Sequence, residues 1–165
     1  MLNSWGHPVP VIGGRLQISG PGPAAKKLRF VNQKNSASVT LDIRNAYGNH
    51  PAGIKKLERT FTFNSEGRGK VSIADSAEFE NPQSFETALT TFGRIKRTGK
   101  DTLSAEYRNT GVSITVNTSG IPWKLKHETL KADSSWEDRS QRYAIELEGR
   151  HKKINMEMIF IPTHK

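Results

Sequence analysis

The chain has 165 residues, a hydrophobic content of 34% and a formal net charge of +9 at pH 7. This length allows one domain with a substantial core and gives no reason to expect a second. The sequence has no cysteine, which excludes disulfides and thiolate zinc sites, and it has no apolar run long enough for a transmembrane helix.

A two-residue alternation of apolar and polar side chains predicts β-strands along most of the chain. A first strand precedes the turn signal Gly-Pro-Gly-Pro at 20–23, and the opening MLNSWGHPV lacks the charged and apolar regions of a signal peptide. Further half-buried strands are predicted at 38–45, 57–64, 69–79, 84–92, 112–117, 142–149 and 153–161.

Turn-forming residues separate these strands, with a hairpin loop at 65–69, a break at 81–83 and a tight turn at 109–111. No segment has a helical period, and the polar stretch 131–142 is predicted as a loop or a short helical turn. The sequence therefore predicts an all-β fold, an antiparallel β-sandwich of about ten strands. We expect it to occupy residues 1–165 as a single domain.

The excess of Lys and Arg favours an anionic partner: nucleic acid, an anionic membrane surface or an acidic polysaccharide. The basic residues are dispersed, with small clusters at 26–27, 55–56, 94–97 and 150–153. The sequence has no long basic block, no basic amphipathic helix and no aromatic pattern of an RNA-binding sheet, so we expect neither nucleic acid nor a membrane as partner. The alternative explanation of the positive charge needs no partner: the Lys and Arg side chains cover a sheet face that is exposed to water.

Two acidic residues, Asp75 and Glu86, lie within predicted half-buried strands, where an unpaired charge is unfavourable. Asp75 is on the apolar face of its predicted strand, and Glu86 follows Phe85 in the next strand. An inward carboxylate can be catalytic or can hold a metal. The structural alternative, which we favour, is a buried acid neutralised by an arginine such as Arg59. The common catalytic signatures, such as nucleophile elbows, phosphate loops and zinc-protease motifs, are absent.

One histidine and one tryptophan have settings that suggest a site. His7 lies between a Trp-Gly pair and two prolines, and this stretch either begins an ordinary strand or forms the edge of a functional site. Trp5 and Trp123 each adjoin Gly or Pro, and one or the other is predicted to close one end of the sandwich. Trp136 lies in the polar stretch and is the best candidate for stacking on a sugar ring or a base.

Four stretches occur in a characteristic order: NSWGHPVPVIGGRLQ at 3–17, DIRNAYG at 42–48, LERTFTF at 57–63 and VSIADSAEFENPQSFETALTTFG at 71–93. Together they resemble the C-terminal β-sheet region of heparinase II/III-like polysaccharide lyases. The resemblance covers residues 3–93 by motif and the remainder by strand pattern. It implies a β-sandwich that follows an upstream α-helical toroid in the complete enzyme.

The resemblance also implies a reaction, a cofactor and a location. Lyases of this family cleave uronic-acid-containing polysaccharides by β-elimination, in which a base removes the proton beside the uronate carboxylate and an acid assists the leaving oxygen. The base and acid are mostly a Tyr and a His of the toroid, and a divalent metal, usually taken as zinc, is held in the sheet domain. His7 matches one histidine of that metal set. A full-length lyase would be periplasmic or secreted.

These implications give a set of predictions for this chain. We predict no catalytic residue in it, and zinc only in the complete enzyme with His7 as one ligand, because a single histidine cannot hold a catalytic metal. The expected partner is an acidic polysaccharide of glycosaminoglycan or alginate type, bound by Arg94, Lys96, Arg97 and Trp136. The alternatives are a stand-alone polysaccharide-binding module, a scaffold domain that supports a toroid or self-associates, and an enzyme completed by a second chain.

Overall fold

The alternating segments form two β-sheets in the computed structural model, which describes residues 4–20, 22, 24–49, 52–130 and 140–163. Within these residues the chain forms twelve strands and one short 3-10 helix at Arg44–Tyr47. The strands are β1 (Val11–Ile12), β2 (Lys26–Gln33), β3 (Ser36–Asp42), β4 (Ile54–Asn64), β5 (Lys70–Gln83), β6 (Phe85–Thr91), β7 (Arg94–Arg97), β8 (Thr102–Tyr107), β9 (Thr110–Asn117), β10 (Trp123–Thr129), β11 (Gln141–Leu147) and β12 (His151–Thr163). The described part of the chain contains no helix with the length and apolar character needed to cross a membrane.

The two sheets differ in size. The small sheet has four strands in the order β1-β6-β11-β10, and the large sheet has eight in the order β2-β3-β4-β5-β12-β9-β8-β7. All neighbouring strands are antiparallel. The predicted all-β antiparallel sandwich is confirmed, with twelve strands in the described residues rather than about ten.

The core lies between the sheets and consists of the inward members of the alternating strands. In the large sheet Leu57 on β4, Ala77 on β5 and Ile154 on β12 are paired across neighbouring strands, and each is at most 1% exposed. The small sheet contributes Phe85 and Ile145, both 0% exposed. Side chains alternate between the two faces of a strand, so a shift of one residue would expose these apolar side chains, and their burial therefore fixes the register of the strands. Their removal from water stabilises the fold.

The small sheet covers only part of the large sheet. Along the inward face of β4, Leu57 and Arg59 are buried, whereas Phe63 near the far end is 51% exposed. Along β5, Ala77 is buried and Val71 is 39% exposed. The alternation predicts the side of each strand correctly, but it contains no information on where the covering sheet ends.

The predicted break at 81–83 is wrong, because β5 continues to Gln83. Pro82 is accommodated where the register between β5 and β12 shifts, since Lys153 pairs with Glu78 while His151 pairs with Gln83. The extra residues of β5 form an irregularity of the bulge type, where a proline removes no hydrogen bond of the ladder.

Other element boundaries also differ from the prediction. The strand predicted at 38–45 ends at Asp42, whose Oδ1 accepts a hydrogen bond from the Arg44 backbone N–H at 3.0 Å and so favours a turn. Of the loop predicted at 131–142, residues 131–139 lie outside the described residues, and β11 begins at Gln141. Strand β7 was not predicted because four residues are too few to display an alternation.

Candidate functional site

The N-terminal segment passes from the outward face of the small sheet to the space between the sheets. On the outward face the Trp5 carbonyl accepts a hydrogen bond from Arg142 Nε at 3.0 Å. Between the sheets the Pro8 carbonyl accepts one from Arg59 Nη1 at 2.5 Å. Proline has no N–H that needs a partner, so this stretch can offer carbonyls to side chains without pairing as a strand.

His7 lies at this crossing with an exposed side chain. Its backbone forms a tight turn, in which its N–H donates to the Ser4 carbonyl at 3.1 Å and its own carbonyl accepts from the Val9 N–H at 2.8 Å. Among the described residues no three His, Asp or Glu side chains are grouped so that they could hold a metal ion. The described residues therefore do not form a zinc site, and a role for His7 as a zinc ligand stays a prediction for a complete enzyme.

A buried arginine joins the two sheets to the N-terminal segment. Arg59 on β4 donates from Nε to Asp75 Oδ1 and from Nη2 to Asp75 Oδ2, both at 2.7 Å. Nη2 also reaches Thr87 Oγ1 on β6 at 2.9 Å. We call Arg59, Asp75, Thr87 and the Pro8 carbonyl the Arg59 centre. Through a single guanidinium it connects three consecutive strands, β4, β5 and β6, with the N-terminal segment.

The Arg59 centre is structural. Arg59 is 4% exposed and Asp75 is 2% exposed, so a polymer substrate cannot reach either group. Burial by itself lowers the pKa of Arg59, but the charge and hydrogen bonds of Asp75 outweigh that effect and raise it. The favoured interpretation of Asp75, a buried acid neutralised by Arg59, agrees with this geometry.

Tyr47 ties the 3-10 helix to the same N-terminal segment. Its hydroxyl donates to the Pro10 carbonyl at 2.5 Å, and the residue is 3% exposed. Burial raises the pKa of Tyr47, and the positive charge of Arg59 offsets only part of that rise. A buried phenol that resists ionisation cannot remove a proton from a polysaccharide, so Tyr47 is not a catalytic base in this fold.

Glu86, the second acid that the sequence singled out, is also neutralised by an arginine. Arg142 Nη2 donates to Glu86 Oε1 on the outward face of the small sheet, and Lys126 Nζ lies 3.8 Å from Glu86 Oε2. The Arg142 guanidinium stacks on the Trp5 ring at 3.9 Å, and Trp5 Nε1 donates to Glu128 Oε2 at 3.1 Å. One face of the Trp5 ring is therefore occupied within the chain and is not available to a sugar.

The cations predicted to bind substrate lie on β7, an edge strand of the large sheet, but on opposite sides of it. Arg94 and Lys96 are exposed on one side, and the buried Ile95 between them points to the other. Neither forms an ion pair with another described residue. Arg97 faces the sandwich end, where its guanidinium lies 4.0 Å from the Trp123 ring. The structure therefore brings Arg94 and Lys96 together and separates Arg97 from them.

A concavity of about 460 Å³ adjoins Arg97 at this end of the sandwich, and Lys100, Asp101 and Asn117 contribute to its lining. Trp123 closes it from within at 5% exposure, as predicted for a tryptophan at the end of the sandwich. Trp136 lies outside the described residues, so its stacking role stays a prediction.

Sequence reasoning singled out Arg97 but missed Lys100 beside it. A signal was present in the sequence, since Gly99 and the three cations at 96, 97 and 100 mark a basic turn. Arg97 itself is largely engaged within this turn, because it donates to the carbonyls of Gly99, Lys100 and Trp123. Lys100 is exposed and is the more accessible cation at the concavity.

The fold is that of a β-sandwich found within much longer chains. Those chains include a heparinase III crystal structure (TM-score 0.69, 11% identity), a heparinase III gene product (TM-score 0.74, 11% identity) and a heparan sulfate lyase HepC mutant from Pedobacter heparinus (TM-score 0.68, 13% identity). The matches cover 96–97% of this chain but 24% of each of those chains. No family model and no curated protein sequence matches the chain.

Proposed function

We propose that the chain is the sandwich domain of a heparinase-like polysaccharide lyase and that it forms one wall of the cleft that binds the polymer. The fold match over 96% of the chain to heparinase III carries this proposal. Because the matched chains are about four times longer, the catalytic base and acid would come from a further, helical domain. A zinc site would need His7 together with ligands from outside the described residues.

The charge of the chain supports an acidic polysaccharide, of glycosaminoglycan or alginate type, as the bound polymer. The formal net charge is +9, and Arg94 and Lys96 are exposed on one side of β7. Lys100 lies a few residues further along, beside the concavity. Guanidinium and ammonium groups bind carboxylates and sulfates through charge-assisted hydrogen bonds. A competing carboxylate, Glu106, lies opposite Arg94 on β8, whereas the residue opposite Lys96 is the neutral Ser104.

Calorimetric titration of the chain with heparin and with alginate tests the proposal. The variant Arg94→Glu/Lys96→Glu should lose at least about tenfold in affinity, since two charge-assisted contacts are removed. The matched control is Lys34→Glu/Lys152→Glu, which makes the same change in net charge at two exposed sites away from β7. An equal loss in both variants would show that binding is general ion exchange and would overturn the site.

Catalysis is tested on the same samples by the absorbance of the unsaturated uronate that β-elimination produces. The chain alone should produce none, because the proposal places the catalytic base and acid in the further, helical domain. Product formation by the chain alone, abolished in His7→Ala, would show that it carries a complete site and would contradict the proposal.

The second candidate function is a scaffold domain that docks another protein part. One observation favours it, an exposed apolar region on the inward face of the large sheet. Phe30 is 60% exposed and Phe63 is 51% exposed, and contiguous apolar surface of this kind is typical of an interaction site. The two candidates are compatible, because the apolar region and β7 belong to different parts of the large sheet.

A further inference from the structure

Two rows of apolar side chains cross the inward face of the large sheet and continue beyond the small sheet. The members of each row are paired across neighbouring strands, so they lie side by side on one face. The first row is Ile114, Phe160, Val71, Phe63 and Ala37, on β9, β12, β5, β4 and β3. The second row is Met158, Ile73, Phe61, Val39 and Phe30, on β12, β5, β4, β3 and β2. We call these ten residues the apolar face.

The apolar face becomes more exposed from β9 towards β2. Ile114 is 1% exposed, Val71 39%, Phe63 51% and Phe30 60%. Two concavities of about 550 and 220 Å³ lie along it, and Phe63 and Val71 line both. The apolar face is therefore one continuous surface with a recessed floor, and not a set of scattered exposed side chains.

The charged side chains that line the two concavities of the apolar face have one sign. Arg68 and Lys70, at the turn between β4 and β5, are the charged side chains among the described residues that line the two concavities. Neither forms an ion pair with another described residue. A partner that covers this face removes Arg68 and Lys70 from water. It therefore binds most tightly if it places carboxylates beside these two cations.

A second copy of the chain does not supply that negative charge. In a two-fold dimer the same surface faces itself, so a second copy brings Arg68 and Lys70 again and no carboxylate from the described residues that line the two concavities. Each copy also carries a net charge of +9. Like charges at an interface oppose association, so the complementary partner is acidic and has a different sequence.

The strands beneath the apolar face determine the kind of segment that fits it. The backbones of β3, β4 and β5 are paired on both sides, so they offer no hydrogen bonds to an added strand. A strand added to the edge strand β2 would extend the sheet beside the face and would not cover it. A helix satisfies its own backbone and contributes only side chains. From β12 to β2 the face crosses four strand spacings, about 19 Å, which a helix of roughly 13 residues spans.

We propose that the apolar face binds an amphipathic helix of a partner polypeptide, with apolar residues towards the sheet and Asp or Glu towards Arg68 and Lys70. The proposal rests on the scaffold candidate and is independent of polysaccharide binding. It assigns the region beyond the small sheet to recognition of protein, and β7 to recognition of polysaccharide.

The test uses two labelled helical peptides of about 14 residues, one built from Leu and Glu and the other with Lys in place of Glu. Fluorescence anisotropy should show that the chain binds the Glu peptide at least about tenfold more tightly. Phe63→Ser should weaken that binding about tenfold or more, because an apolar anchor is lost. The control Ile161→Ser changes a residue that is 41% exposed on the opposite face of the large sheet, and it should leave affinity unchanged.

The variant Arg68→Glu/Lys70→Glu should reverse the preference between the two peptides, which general attraction to a basic chain cannot do. Equal affinity for both peptides, or equal losses in Phe63→Ser and Ile161→Ser, would overturn the proposal. A dimer in sedimentation that Phe63→Ser abolishes would identify a second copy as the occupant, and tighter binding of dodecanoate than of the Glu peptide would identify a small amphiphile. Polysaccharide binding is measured with different variants, so failure of either proposal is seen separately.

Discussion

Replacing Asp75 by Asn removes the charge that neutralises Arg59 and leaves the shape of the side chain nearly unchanged. Nε and Nη2 of Arg59, each 2.7 Å from a carboxylate oxygen, would then share one neutral acceptor. The guanidinium would stay charged at 4% exposure. Removing one partner of a buried ion pair costs about 3–5 kcal/mol, a large share of the roughly 5–15 kcal/mol that stabilises a typical domain.

Asp42→Asn is the matched control, because it makes the same chemical change in an exposed pair. Arg44 Nη2 lies 2.6 Å from Asp42 Oδ2, but the Arg44 side chain is 46% exposed. Water screens such a pair, so the expected loss is about 0–1 kcal/mol. The difference between the two variants therefore measures what burial adds to an otherwise similar contact.

The measurement is urea unfolding at pH 7 followed by circular dichroism, with the slope m compared among variants. The double variant Arg59→Met/Asp75→Leu should recover part of the loss, since apolar side chains can replace a buried ion pair. Recovery should be incomplete, because the Pro8 carbonyl would lose its donor. If Asp75→Asn lowers the free energy of unfolding by less than about 1 kcal/mol, or by the same amount as Asp42→Asn, burial does not strengthen the Arg59–Asp75 pair as argued.

Two further substitutions, and the behaviour of Asp42→Asn in acid, test other parts of the structure. Tyr47→Phe should cost about 1–3 kcal/mol in urea unfolding, since the buried Pro10 carbonyl loses its donor; an unchanged midpoint would contradict this. Hydrogen bonds from Arg44 lower the pKa of Asp42 below its ordinary 3.8. The ionised Asp42 therefore stabilises the fold above pH 3.8, and this stabilisation is lost as the pH falls through the lower pKa of the folded state. The stability difference between wild type and Asp42→Asn should accordingly disappear in acid, and a difference that persists there would argue against the ion pair. His7→Ala should change stability by less than about 0.5 kcal/mol, because the side chain is exposed, and zinc titration should show no binding in either protein; zinc binding that His7→Ala abolishes would show that the chain holds a metal by itself.

The parts of the fold that were predictable depend on local pattern. The alternation through Leu57 and Arg59 identifies the inward face of β4, and the alternation through Asp75 and Ala77 does the same for β5. An acid and an arginine on the inward faces of adjacent strands can neutralise each other, which is why the Arg59–Asp75 pair could be anticipated. Local pattern suffices here because both residues obey the two-residue period.

The remaining features depend on contacts between distant parts of the chain. Arg142 lies on the outward face of β11, where a charged residue is normally solvated, yet it is 1% exposed because the segment around Trp5 covers it. Phe63 follows the inward pattern, yet it is half exposed because the small sheet ends before it. Neither outcome can be read from neighbouring residues, since each depends on which element packs above the position.

The segment around Pro8 also bears on the order in which the protein assembles. Trp5 is 137 residues before Arg142, to which its carbonyl is bonded, and Pro8 is 51 residues before Arg59. During synthesis this segment therefore leaves the ribosome long before all of its partners exist, and the Trp5 carbonyl cannot bond to Arg142 until β11 has been made. Contacts with such long sequence separation form slowly. In refolding followed by pulsed hydrogen exchange, the amides of His7 and Val9 should become protected after those of the β4–β5 hairpin, so a segment that precedes the hairpin in sequence is fixed after it.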